Sequence, residues 1–407
     1  MAWNDRSAMN TQLTSVLVAV ESPFGEYDLE RFDLDRFGNL VDLLVIDLTP
    51  LIKPQFWQRY KDRAVRHPAV RVIETWAELK QLVDGKAWDG WIDELGMSAV
   101  ARRLRRRMQK SDAIRIRIRL GLLPGDFVIQ TDVKARLLAR RSQLGLLGLT
   151  KSILLFFPRR LVRRTPPPDL VLGSGSYTTR DVAPGVPIIW AHSFDFEKAK
   201  NEARAGMVSN GSGTVFLDQN LGYHPDQLHS GLKSPVNADG YYAALLAAFD
   251  RIEGVLRFPI TIAIHPKSSF HDPITIFGQR PTIRMSTQVL IHSSELVVCH
   301  ASASLSYAVI WRKPVLFMTS DELEKCDYKV HIDEMARILK RPVFNIDRFH
   351  EVTEDELESA IKLPVDEDAY STYEEEFIRS SMSPDGHLWE IFSNGMKLFL
   401  DGGLPRD

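Results

Sequence analysis

"LVVCHASASLSYAVIWRKPVLFMT", residues 296–319, passes from an apolar stretch of strand length through small hydroxyl residues into an apolar helical stretch, then into a second apolar run. That is the rhythm of a βαβ unit, whose strands lie parallel in a sheet covered on both faces. Upstream, "TVFLDQ" (214–219), a helical stretch at 241–256 and "ITIAIHP" (260–266) continue the same pattern. Further out, "SVLVAV" (15–20), "VDLLVIDLT" (41–49), "VRVIE" (70–74), "DGWIDE" (89–94), "DFVIQTD" (126–132), "DLVLGSG" (169–175) and "VPIIWAHS" (186–193) read as strands, with helices such as 77–83 and 134–144 between them. Between the two series, "EARAGMVSNGSG" (202–213) has no hydrophobic period and reads as a linker. The expectation is an α/β chain with two doubly wound, Rossmann-like domains, at 1–205 and 206–372, and a cleft between them. In the tail, 373–407, Leu388, Ile391, Phe392, Met396 and Phe399 recur near helical spacing and predict a helix that crosses back onto another surface.

A chain of 407 residues is too long for one ordinary core, and two domains suit it. With 44% hydrophobic and 26% charged residues, no apolar run approaches the roughly 20 residues that a membrane-spanning helix needs. The first residues lack the basic start and apolar centre of a secretory signal, so a cytoplasmic protein is expected. Cys299 and Cys326 are too few for a disulfide framework or a cysteine zinc site, and both are expected to be free thiols. The formal net charge of -2 hides an asymmetry: residues 101–164 hold 18 Lys/Arg against three acids, whereas 351–390 hold 13 acids against Lys362 and Arg379.

Ligands of open α/β sheets bind beyond the C-terminal ends of the strands, where helix N-termini and free N–H groups point. His265-Pro266-Lys267 stands at such an end, with an imidazole able to donate to a phosphate oxygen, a proline that sets the turn and a nearby cation. His300, Ser302, Ser304 and Ser306 stand at another, where a serine can cap the helix and further hydroxyls can hold an anion. A strand ending in His-Pro and a strand ending in serines could hold one phosphate from two sides.

"IAIHPK" and "HASASLS", in that order within 214–320, resemble the HP and Ser-Ser/Thr motifs of bacterial sialyltransferases and the related Kdo transferases, which share the GT-B architecture. The resemblance implies that His265 contacts the phosphate of a CMP-activated donor, and that Ser302 and Ser304 contact phosphate or cytidine. Where those families carry a ribose-binding glutamate, this chain has Gln288. It further implies an acidic base from the first domain, for which Glu21, Asp28, Asp93 and Glu94 are the candidates. Trp190, His192, Ser193 and Asp195 follow the last predicted strand of that domain, and His192 with Asp195 could form an acid/base pair facing the cleft.

The expectation is a glycosyltransferase of bacterial surface polysaccharide or lipopolysaccharide assembly. It would transfer a sialic acid-like or Kdo-like sugar from a CMP donor to a glycan or lipid-linked glycan acceptor, with no metal or other cofactor. A UDP- or GDP-sugar transferase or a sugar-nucleotide epimerase of the same fold is the alternative, and a basic scaffold or nucleic-acid-binding protein the non-enzymatic one. Arginine interleaved with Leu, Ile and Phe at 101–120 and 135–164 suits the inner face of an anionic membrane. Few aromatic residues lie among those arginines, which weighs against nucleic acid.

Overall fold

The computed structural model describes residues 14–131, 166–204, 213–223, 234–266, 268 and 274–403. Thirteen described strands form two all-parallel sheets. The first sheet takes β1 (Ser15–Val20), β2 (Asp42–Asp47), β3 (Val70–Val72), β4 (Gly90–Asp93), β5 (Ile114–Arg119), β6 (Leu170–Gly173) and β7 (Ile188–Trp190), in the order β3-β2-β1-β4-β5-β6-β7. The second takes β8 (Thr214–Leu217), β9 (Ile260–Ile264), β10 (Thr282–Arg284), β11 (Leu296–Cys299), β12 (Val315–Thr319) and β13 (Val343–Asn345), in the order β10-β9-β8-β11-β12-β13. Both orders reverse once, between β1 and β4 and between β8 and β11, and each reversal opens a crevice above the strand ends.

Apolar alternation explains how the first sheet is buried on both sides. Val16 and Val18 of β1 join one core, and Leu17 and Ala19 of the same strand join the core on the opposite face. The tail crosses back: Leu388, Trp389, Ile391, Phe392 and Met396 of the helix Leu388–Leu400 pack into the first of these cores. Trp389 stacks on Phe37 at 4.1 Å and on Phe32 at 5.5 Å between ring centroids. The returning chain is stitched on by backbone hydrogen bonds from Ser176 to the Glu375 carbonyl (3.0 Å), from Ser193 to the Ile378 carbonyl (2.8 Å) and from Ser380 to the Ser174 carbonyl (2.9 Å). Gly175 permits this approach, because a Cβ there would overlap the Glu376 carbonyl.

Two readings change. Residues 126–131, expected as a strand, form the helix Asp126–Thr131, started by the Asp126 carboxylate, which accepts the Leu123 N–H at 2.7 Å. The strand is instead "IRIRIR" at Ile114–Arg119, inside the stretch read as a membrane-facing segment. Its isoleucines enter the sheet core while its arginines stay half-buried, the strict alternation of a strand. The stretch before it is the helix Ala99–Met108, capped by the Ser98 hydroxyl, which accepts the Ala101 N–H. The helix expected at 134–144 and the basic stretch 135–164 lie outside the described residues. No helix among the described residues is long and apolar enough to cross a membrane.

Candidate functional site

A cleft of about 1380 Å³ opens between the two sheets' C-terminal ends. Its second-domain wall includes Gln219, His265, Pro266, Arg284, Gln288, Ser302, Ser304 and Tyr307, and its first-domain wall includes Tyr27, Asp28, Arg31, Phe56, Tyr60, Arg63 and Asp195. So the structure brings His265, Pro266, Gln288, Ser302 and Ser304 together with Asp28 and Asp195. Lys267 lies outside the described residues.

The loops of the second wall are tied to each other at the reversal point. Asp218, just past β8, is buried and accepts the Asn220 N–H (2.8 Å), the His265 N–H (3.3 Å) and the Ser268 hydroxyl (3.5 Å). Burial pushes its carboxyl up to about 6, against the pull of those donors. Arg284 holds the same His-Pro turn from outside, donating to the Pro266 carbonyl (3.2 Å) and the Ser268 carbonyl (2.8 Å). Gln219 clasps the backbone of Ala301, its Nε2 donating to the carbonyl and its Oε1 accepting the N–H at 3.1 Å. Ser302 accepts the Ser304 N–H at 3.3 Å, which shapes the turn into the helix Leu305–Ile310. Neither Asp218, Gln219 nor Arg284 stands out in the sequence, since one Asp, Gln or Arg in a loop carries no pattern. The position of Asp218 and Gln219 directly after a buried strand is the one available signal.

Asp195 lies in the first turn of the helix Phe194–Arg204, whose start is held by the Ser193 hydroxyl accepting the Phe196 N–H (3.2 Å). It meets Tyr307 and Ser306 of the second domain, both of which hydrogen-bond its carboxylate. Burial pushes Asp195 up to about 6, with those bonds and then Lys198 and Arg31 pulling it back down. Further along the same helix, Glu202 is hydrogen-bonded by Gln288. Asp28 is placed as the third residue of the helix Glu26–Phe32, accepting the Gly25 N–H at 3.1 Å at the cleft edge.

Other expected residues stand elsewhere. Asp93 is fully buried, held by Arg105 at 2.7 and 3.0 Å and by Arg115 at 2.7 Å, so its carboxylate is committed to two guanidiniums. Glu21 accepts the Gly96 N–H (2.9 Å) and pairs with Lys53 (3.1 Å), bracing the ends of β1 and β4. Glu94 does not line the cleft; burial raises its carboxyl, opposed by Arg31, Arg117 and Arg119. His192 does not pair with Asp195. It is buried against Glu197 (3.2 Å) and the carbonyls of Ser193 and Gly386, where it anchors the returning tail. His300, expected at a nucleotide, is fully buried: Nδ1 meets the Met318 carbonyl and Nε2 the Tyr241 hydroxyl, each at 2.7 Å. Strand alternation explains this, because His300 is directed inward and the next residues turn out to the cleft.

No protein-family model and no curated protein matches the chain. Solved structures do share its fold over nearly the whole length. The wall teichoic acid polymerase TagF superposes with a TM-score of 0.55 at 12% identity, covering 96% of this chain and 89% of that one. The same polymerase after a CDPG soak gives 0.53 at 11%, covering 95% and 89%. S. aureus MnaA, in a structure with UDP, gives 0.53 at 11%, covering 97% and 100%. At these identities the likeness is one of fold, and that fold is GT-B: two parallel-sheet Rossmann-like domains facing a shared cleft.

Proposed function

We propose that the chain is a glycosyltransferase that takes its sugar from a nucleotide-activated donor, with the nucleotide on the second-domain wall and the acceptor on the first. The observation that carries this reading is the convergence of His265-Pro266 and Ser302/Ser304, from two strand ends on the same side of the β8/β11 reversal, onto one cleft with Asp195 opposite. A UDP-linked donor is favoured by the fold neighbour solved with UDP. A CMP-linked acidic sugar is the second reading, favoured by the order of the His-Pro and serine motifs. The basic stretch 101–164 suits a lipid-linked acceptor at an anionic membrane.

In this reading Asp195 is the general base. A carboxyl near 6 is ionised at neutral pH yet basic enough to accept a proton, and Tyr307 and Ser306 fix its direction. The acceptor oxygen forms a bond to the anomeric carbon and its proton passes to Asp195. The bond from that carbon to the donor phosphate breaks, and its electron pair leaves with the nucleotide. Hydroxyls and N–H groups of the serine turn and the His265 imidazole face the growing phosphate charge.

Melting temperatures with UDP, CDP, CMP and GDP test the reading. UDP should stabilise the chain most, by an amount following RT ln(1 + [L]/Kd), and His265→Ala should remove most of that gain. Asp195→Asn should keep the nucleotide shift while turnover falls about 10²–10⁴-fold. A larger shift with CMP moves the reading to the second donor, and no shift with any nucleotide ends it.

A further inference from the structure

The arginines of β5 have more charge than the structure neutralises. Arg115 is well held, by Asp93 and by the Pro166 carbonyl at 2.8 Å. Arg105 takes both oxygens of the same Asp93. Arg117, next on that face, is half-buried, yet its Nε–H is buried and meets no acceptor among the described residues. Its charged surroundings are Arg119 and Arg115 on one side of the balance and Glu94 and Asp93 on the other. Glu94 is itself shared with Arg31 and Arg119, and Asp169 accepts the backbone N–H of Arg115, at 2.8 Å.

The chain that joins β5 to β6 does not redress the balance: residues 133–165 contain nine Lys/Arg and no Asp or Glu. A half-buried guanidinium with an unanswered N–H is costly, and the deficit calls for an anion from outside the chain. Arginines paired along a strand match the tetrahedral oxygens of phosphate, which accept two parallel N–H bonds per guanidinium. None of Arg115, Arg117 and Arg119 lines the nucleotide cleft.

We infer that the arginine face of β5, centred on Arg117, is a phosphate-binding site of the first domain, separate from the nucleotide cleft. Its ligand is a phosphate mono- or diester, either soluble or carried by a lipid headgroup. The site does not depend on the donor reading, and the variants below separate the two.

The full chain is titrated with inorganic phosphate at constant ionic strength, with chloride as control. A saturable rise in melting temperature that survives His265→Ala and disappears in Arg117→Gln is expected, and Arg117→Gln should melt no lower than the unliganded wild type. Absence of a saturable rise, or its survival in Arg117→Gln, overturns the site. Should Arg117→Gln not fold, the arginine Nε–H resonances of the wild-type protein decide: one must shift with phosphate, and none shifting overturns it. Sedimentation with phosphatidylglycerol and phosphatidylcholine vesicles distinguishes the sources. Pelleting with phosphatidylglycerol alone, reversed by free phosphate, assigns a lipid-borne ligand; no pelleting, together with the saturable rise, assigns a soluble one. Pelleting that neither phosphate nor Arg117→Gln alters overturns the site.

Discussion

His300 illustrates how one residue's burial decides its role. The Met318 carbonyl cannot donate, so Nδ1 must carry the proton and Nε2 must accept from Tyr241, which makes the ring neutral. Burial pushes its pKa down to about 4, so it stays neutral at physiological pH. His300→Ala should therefore leave any nucleotide-induced shift in place and cost about 2–4 kcal/mol of stability, from a cavity and two unanswered polar groups. Chemical denaturation of the variant with and without nucleotide checks this; a variant of normal stability that has lost only the shift would restore His300 to the cleft. Next to it, Ser302 and Ser304 do reach the cleft. In the sequence the three stood as one polar cluster, because nothing local tells where a strand's inward alternation stops. Asp93 was ambiguous for the same reason: its partners Arg105 and Arg115 are distant in sequence and become visible only once helix and strand are placed.

Among elements, legibility followed apolar content. The central strands β1, β2, β8, β9, β11 and β12 are continuous apolar runs and read directly from the sequence, since both faces of a parallel sheet are covered. The edge strands β10 and β13 span three residues each and bury little, and neither was read as a strand. The "IRIRIR" strand was masked by its charges. The tail helix was legible as a helix, but its destination was not, because an apolar stripe does not name the surface it fits. Its anchor is Trp389, fully enclosed by Phe32, Phe37 and Phe392. Trp389→Ala should cost about 3–5 kcal/mol, and the loss should fall on the first domain. Hydrogen exchange read separately over 15–190 and 214–345 checks this; equal loss of protection in both would mean that the tail supports the molecule without preference.

At the scale of the whole molecule, the first domain's helix Phe194–Arg204 touches the second domain through two carboxyls, Asp195 and Glu202, both raised by burial. Asp195 rises from an ordinary 3.8 to about 6, so between those values the folded chain holds a proton that the unfolded chain has released. Stability from this group is therefore present at low pH and lost as pH climbs through that window. Above about 6 the fold carries an ionised carboxylate enclosed between two domains, at a cost the unfolded chain does not bear. Asp195→Asn removes this dependence but keeps an oxygen that Tyr307 can donate to. Its melting temperature should match wild type near pH 4, rise above it progressively to about pH 6 and then hold a constant lead. Asp218, also pushed up to about 6, titrates in both proteins and cancels from the difference. Melting curves at half-unit steps of pH supply the measurement. A lead that is already complete at pH 4, or that shrinks as pH rises, would mean that Asp195 is solvated in solution and that the two domains do not close on it.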